Sequence, residues 1–257
     1  MTKVLNFLVR AAEIFIKLIA GLIFYPRSKK IEKYISSACI PAGFTYTAHT
    51  GCCKTKPNTL ECIDVGAKHG AGIVEFDLRF DKNSEPVLSH DEPVGGEVTL
   101  DEAFAKISGI ENIRVNVDVK TCLALQKVEA LAKKHGVEDR IFFTGINEGD
   151  VEAVKEQYPT VEYYLNMKVK NPRAHTEEYL QSLVDKVKEC GAVGINFNYR
   201  KASRRLVKVF HENGLQVSIF TVDKLIEMYR IISYGPDNIT TRKPDYIKYT
   251  LEEFKNA

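Results

Sequence analysis

Apolar runs of strand length alternate with amphipathic helical stretches along almost the whole chain, and this alternation limits the fold more than any other feature. The strand-like runs are Phe44–His49, Ile73–Phe80, Pro86–Ser89, Arg114–Val119, Ile141–Gly145, Glu162–Asn166, Gly194–Asn198 and Gln216–Val222, with a last short run, Asn238–Thr240, ahead of Pro244. Helical patterns lie between most of them, over Leu60–Lys68, Leu100–Ile107, Ala124–Lys134, Asp150–Gln157, Glu177–Glu189, Arg204–Asn213 and Lys224–Ser233. Gly70, Gly136, Gly191 and Gly214 stand just past a last turn, where helices end. Thr99 and Glu102 have the spacing of a capping box. Strands and helices repeated in this way build a parallel sheet from βαβ units. About eight strands in about 220 residues favours closure into a (β/α)8 (TIM) barrel over an open sheet. No glycine-rich phosphate loop or GxGxxG follows the first strand, which argues against a dinucleotide-binding fold. The expected organisation is α/β, with one barrel domain over 40–257 and an N-terminal amphipathic helical extension over 1–35.

The extension reads differently from the rest. Between Val4 and Tyr25 it is apolar, broken by a narrow polar stripe of Lys3, Asn6, Arg10, Glu13 and Lys17 at helical spacing. Spanning a bilayer takes about 20 largely uninterrupted apolar residues, and a secretory signal ends in a small-residue cleavage pattern. This segment has neither. Two readings stay open: the helix packs its wide apolar face on its own domain, or residues 3–25 lie in a membrane interface as a peripheral contact.

Charge and cysteine usage narrow the setting. A net charge of +2, with no basic block interleaved with aromatics, argues against a nucleic-acid partner. The six cysteines show no metal spacing and no CxxC pair, as expected of free thiols in a reducing compartment. A cytoplasmic location, peripheral to a membrane if the extension binds one, follows as the expectation.

Carboxylates occur where a barrel keeps its chemistry. In an extended chain alternate residues share a face, so Glu75, Asp77 and Arg79 point one way while Val74, Phe76 and Leu78 point the other. The run "RVNVDVK" likewise puts Asn116, Asp118 and Lys120 on one face. Ligands of such barrels sit at the C-terminal ends of the strands. Glu75, Asp77 and Asp118 converging there would repel one another, and a divalent cation between them relieves this. Hard oxygen donors favour Mg2+ or Ca2+ over zinc. His49 ends the first strand and His90-Asp91 follows the third, positions suited to a general base and acid. The alternative is structural, with Glu75 and Asp77 paired to Arg79 and Lys120.

The block "AHTGCCKTKPNTLECIDVGAKHGAGIVEFDLRFDKNSEPVLSHDE" resembles the signature of the glycerophosphodiester phosphodiesterases. His49 and Gly51 match its His-Arg-Gly, Asn58 and Thr59 its Glu-Asn-Thr, Glu75 and Asp77 its Glu-x-Asp, and His90 and Asp91 its His-Asp. Further on, "NVDVK" is similar to the family's Glu-x-Lys strand with Asp118 for Glu. Phe220-Thr221-Val222-Asp223 stands for Trp-Thr-Val-Asn, and "TTRKPD" fits the closing Thr-Asp-x-Pro loosely. The resemblance implies a TIM-barrel enzyme that hydrolyses glycerophosphodiesters to glycerol 3-phosphate and an alcohol. It implies Mg2+ or Ca2+ on Glu75, Asp77 and Asp118, catalysis by His49 and His90, and phosphate or substrate contacts from Lys120, Thr50, Asn58 and Phe220. Two features depart from the family: Thr50 replaces its arginine, and only Glu92 to Thr99 separate His90-Asp91 from the next helix.

Two other functions are compatible with the same residues. One is a phospholipase D-like enzyme acting on lysophospholipids, similar to the sphingomyelinase D branch, which the apolar extension would suit. The other is an inactive barrel that binds phosphate esters.

Overall fold

The structure, a computed structural model, describes residues 29–255. The helix expected between Val4 and Tyr25 lies outside them. Residues 29–36 are helical (α1) and lead into the barrel. Strands β1 (Thr45–Ala48), β2 (Ile73–Phe80), β3 (Pro86–Leu88), β4 (Arg114–Val119), β5 (Ile141–Thr144), β6 (Glu162–Asn166), β7 (Gly194–Asn198), β8 (Gln216–Phe220) and β9 (Asn238–Thr241) form one sheet. It closes through the pairing of β1 with both β2 and β9, and every pairing except β2–β3 is parallel. Helices α2 (Leu60–Lys68), α3 (Leu100–Ser108), α4 (Leu125–His135), α5 (Val151–Gln157), α6 (Glu177–Cys190), α7 (Arg204–Glu212), α8 (Leu225–Ile232) and α9 (Pro244–Lys255) connect and flank the strands. The (β/α)8 barrel is therefore present, built from β1, β2 and β4–β9.

One expectation needs correcting. Pro86–Ser89 is not a barrel strand: β3 runs antiparallel to β2, with Leu78 opposite Leu88 and Phe80 opposite Pro86. β2 is longer than its neighbours, and its last residues project beyond the β4 pairing, which ends at Leu78. The Asp81 carboxylate accepts from the Asn83 and Glu85 amides at 2.8 Å each and turns the chain back. The eighth barrel strand is instead the short run before Pro244. A helix was also missed there, for α9 begins on that proline, whose absent N–H costs nothing in a first turn.

The alternation of β2 explains the core. Val74, Phe76 and Leu78 are buried on the outer face, where Phe76 meets Phe104 of α3 with ring centroids 6.4 Å apart. Inward, Ile73 joins Phe142 and Tyr164 in an apolar cluster toward the strands' N-terminal ends. The polar residues above it, Glu75 and Asp77, sit toward the C-terminal end on the same face. The capping box is present, with Thr99 accepting from the Glu102 amide and Glu102 accepting from the Thr99 amide. Among the described residues no helix is long and apolar enough to cross a membrane, and the six cysteines are free.

Candidate active site

Strand register builds the acidic cluster. β2 and β4 pair so that Glu75 lies beside Asn116 and Asp77 beside Asp118, two rungs higher on the same face. Carboxylate oxygens of Glu75, Asp77 and Asp118 fall within 4.8 Å of one another. Glu75 is 4% and Asp77 2% exposed. Burial, followed by the charges of Asp77 and Asp118, pushes the Glu75 carboxyl well above the ordinary glutamate value. The Lys120 ammonium lies 2.7 Å from Asp77 Oδ1 and 2.6 Å from Asp118 Oδ2. When ionised, three carboxylates against one ammonium leave two negative charges unmatched in a buried site. That imbalance, together with an all-oxygen donor set, fits a hard divalent cation. Arg79 does not join this cluster: its guanidinium binds the His90 carbonyl at 2.9 Å and the Glu92 carboxylate.

The β1–α2 loop braces the same acids. Thr50 donates its backbone N–H to Glu75 Oε2 at 2.7 Å. Asn58 holds φ at 58°, a left-handed conformation that asparagine tolerates better than most residues. From there its Nδ2 donates to Asp77 Oδ2 at 2.9 Å and its Oδ1 accepts from the Asp77 amide at 3.0 Å. The Thr50 hydroxyl accepts from the Asn58 amide at 2.6 Å and lies 3.2 Å from Asn58 Oδ1. Thr50 is 4% exposed, so its hydroxyl is enclosed within this loop.

Both histidines reach the C-terminal face, by different routes. His49 follows β1, its amide donating to Thr241 of β9 at 2.8 Å. Its Nδ1 is 2.7 Å from the Thr50 carbonyl, which only accepts, so Nδ1 carries the proton and Nε2 keeps a lone pair. Burial keeps the His49 imidazole below the ordinary histidine value, and the neighbouring Arg242 charge adds to this. His90 is brought back by the β2–β3 hairpin: Ser89 donates to the Asp77 carbonyl at 3.0 Å, and His90 Nδ1 lies 3.0 Å from Asp91 Oδ1. The His90 side chain is 69% exposed, against 19% for His49. Phe220, half-buried, ends β8.

Three neighbours escaped the sequence reading. Thr144 of β5 donates to Asn116 Oδ1 at 2.8 Å and lies 3.3 Å from Asp118 Oδ1. Gly145, at φ +82°, passes so close to β4 that a Cβ there would stand 2.3 Å from the Val119 carbonyl oxygen and 2.6 Å from Asp118 Oδ1. Arg242, just past β9, puts Nη2 3.3 Å from His49 Nε2. Only the glycine carried a signal, as a lone glycine directly after a strand. A cleft of about 290 Å³ opens beside Asn58 and Thr59, walled by Ser89 and the Val94–Val98 loop. A larger cavity of about 890 Å³ lies near α1 and the end of α9, lined by Ile35, Ile40, Phe44 and Leu251. Phe44 precedes β1, so this cavity is at the strands' N-terminal end, away from the acids.

Residues 49–108 and 105–246 match the model of the glycerophosphoryl diester phosphodiesterase family. The chain is 23% identical over 237 residues to a glycerophosphodiester phosphodiesterase of Caldanaerobacter subterraneus subsp. tengcongensis, a match covering 77% of this chain and 93% of that relative. A solved structure described as a putative glycerophosphoryl diester phosphodiesterase, from Silicibacter pomeroyi DSS-3, superposes with a TM-score of 0.70 at 16% identity, over 88% of this chain and 98% of the other. An Oleispira antarctica phosphodiesterase in complex with the product sn-glycerol-3-phosphate superposes with a TM-score of 0.68 at 16% identity, over 83% and 97%. At these identities the structural likeness establishes the fold.

Proposed function

Because the chain belongs to the glycerophosphoryl diester phosphodiesterase family, we propose that it hydrolyses glycerophosphodiesters to sn-glycerol 3-phosphate and an alcohol, with a divalent cation and two histidines. The observation that carries this reading is the placing of Glu75, Asp77, Asp118, Lys120 and the His49 lone pair together at the C-terminal face of the barrel. Glu75, Asp77 and Asp118 are the residues that would hold Mg2+ or Ca2+. Bound there, such an ion supplies charge neutralisation at a phosphate oxygen. Thr50 and Asn58 serve by holding Glu75 and Asp77 in place.

His49 Nε2 is the base. It takes the proton of the glycerol 2-hydroxyl, whose oxygen attacks phosphorus. His90, its ring held by Asp91, protonates the departing alcohol as the phosphorus–oxygen bond to it breaks. Water then opens the resulting cyclic phosphate to the monoester, and the two histidines exchange roles. Lys120 faces the charge that grows on the equatorial oxygens as phosphorus becomes five-coordinate. Phe220 offers an apolar wall for the carbon skeleton of the substrate.

The printed names of the relatives favour this reading over a lysophospholipid-cleaving phospholipase D. The experiment is a turnover panel of glycerophosphocholine and lysophosphatidylcholine, with choline release read for both. The first is expected to give sn-glycerol 3-phosphate, and the second lysophosphatidic acid only if the phospholipase D reading holds. The apolar 3–25 segment, with Lys3, Arg10 and Lys17 on its polar stripe, supports a peripheral contact with an anionic membrane.

A further inference from the structure

We propose that Arg242 is the guanidinium that grips the substrate phosphate, moving onto it from His49. This rests on the phosphodiesterase reading above. A phosphodiester brings a negative charge to His49, and arginine is the side chain best shaped to receive it, by a fork of parallel N–H donors. The position after His49 holds Thr50, which is enclosed and bonded to Asn58. Lys120 offers a single ammonium rather than a fork and pairs with Asp77 and Asp118, and Arg79 is committed to Glu92 and the His90 carbonyl.

Arg242 differs from both. It sits one residue past the Ala48–Thr241 rung that joins β1 to β9, level with His49 across the barrel seam. Its backbone is fixed twice: its carbonyl accepts from the Cys53 amide at 3.0 Å, and its amide donates to Asp223 Oδ1 at 2.7 Å. Asp223 Oδ2 also takes Nη1 at 3.2 Å and so orients the plane of the fork. The other arm, Nη2, points at the neutral His49 Nε2. Among the described residues the side chain's partners are Asp223 and His49 alone, and it is 46% exposed. A charged donor resting on a neutral nitrogen gains by exchanging it for an anionic oxygen. That exchange also frees the Nε2 lone pair to act as base, so one motion binds the phosphate and uncovers the nucleophile's proton acceptor. The opposing possibility is that Arg242 does no more than pair with Asp223 to tie β8 to β9.

Calorimetric binding of sn-glycerol 3-phosphate and steady-state hydrolysis of glycerophosphocholine test the assignment on the full chain. Arg242→Met is expected to weaken binding of sn-glycerol 3-phosphate at least ~10-fold and to lower kcat by about 10², the scale of losing one donor to a developing oxyanion. Arg242→Lys should fall between, and added guanidinium chloride at non-denaturing millimolar concentration should restore part of the Met variant's rate. Asp223→Asn, which loosens the fork without removing it, should fall between wild type and Arg242→Met in both binding and kcat. An Arg242→Met enzyme with unchanged binding and kcat overturns the proposal, as does a loss that neither lysine nor guanidinium relieves. If the wild-type chain binds sn-glycerol 3-phosphate but hydrolyses nothing, the phosphodiesterase reading fails and the binding arm still decides on Arg242. If it neither binds nor hydrolyses, both fail together.

Discussion

Asp77 and Asp118 occupy the same rung of two adjacent parallel strands, and one lysine, Lys120, bridges them. Side by side in a parallel register, two carboxylates repel unless something positive lies between them. Adding Glu75, two rungs below on the same face, makes the cluster too negative for Lys120 alone to neutralise. Asp77→Asn and Asp118→Asn are each expected to abolish measurable Mg2+ or Ca2+ binding by calorimetry and to lose activity with it. Wild-type metal affinity in either variant would remove that residue from the ligand set.

The same repulsion has a pH signature in the metal-free protein. Glu75 is raised in the folded state, so the folded chain binds its proton more tightly than the unfolded chain does. Its contribution is therefore most favourable below the unfolded glutamate value and is lost as pH rises above it. Chelated protein should melt at progressively lower temperature above that value, Glu75→Gln should flatten the trend, and Mg2+ should reverse it. A metal-free melting profile that Glu75→Gln leaves unaltered would contradict this.

His49→Ala and His90→Ala are each expected to fold normally and to lose at least ~10²-fold in rate, the range for a general acid or base. Since burial and Arg242 lower the His49 value, the acid limb of kcat/KM should fall below the ordinary histidine value. A variant with a near-normal rate would be excluded from the mechanism.

Gly145 and Gly136 both hold positive φ, but only Gly145 abuts another strand. Alanine at 136 meets nothing within 4 Å and carries the conformational cost alone. Alanine at 145 must also displace Val119 or Asp118, so it should cost about 1–3 kcal/mol more than alanine at 136 and also weaken metal binding. Equal melting temperatures and equal metal affinity for the two variants would show that the close approach is unimportant.

Deleting residues 1–27 is expected to abolish co-sedimentation with anionic vesicles and to leave hydrolysis of water-soluble glycerophosphocholine intact. Vesicle binding that survives the deletion would move the membrane contact elsewhere.

The barrel was legible because its signal is periodic and repeated. The period-two pattern of Ile73–Phe80 correctly separated Glu75 and Asp77 from Val74, Phe76 and Leu78, and "RVNVDVK" did the same for Asp118. Hydrophobic pattern carries no direction, however, so Pro86–Ser89 looked like a barrel strand although the Asp81 turn reverses it. Arg242 was hidden for a different reason. It is 193 residues from His49, and only the β1–β9 closure brings them together. Thr50 stood out as a missing arginine, while its use in bracing Asn58 depends on a loop path that spacing does not reveal.

The most direct measurement is the release of sn-glycerol 3-phosphate from glycerophosphocholine by the purified chain, with excess chelator and then with Mg2+ or Ca2+ restored. The expected result is no release under chelation and full recovery with one of the two ions. Full turnover in chelator would contradict the metal site built on Glu75, Asp77 and Asp118, and no release with either ion would contradict the assigned activity.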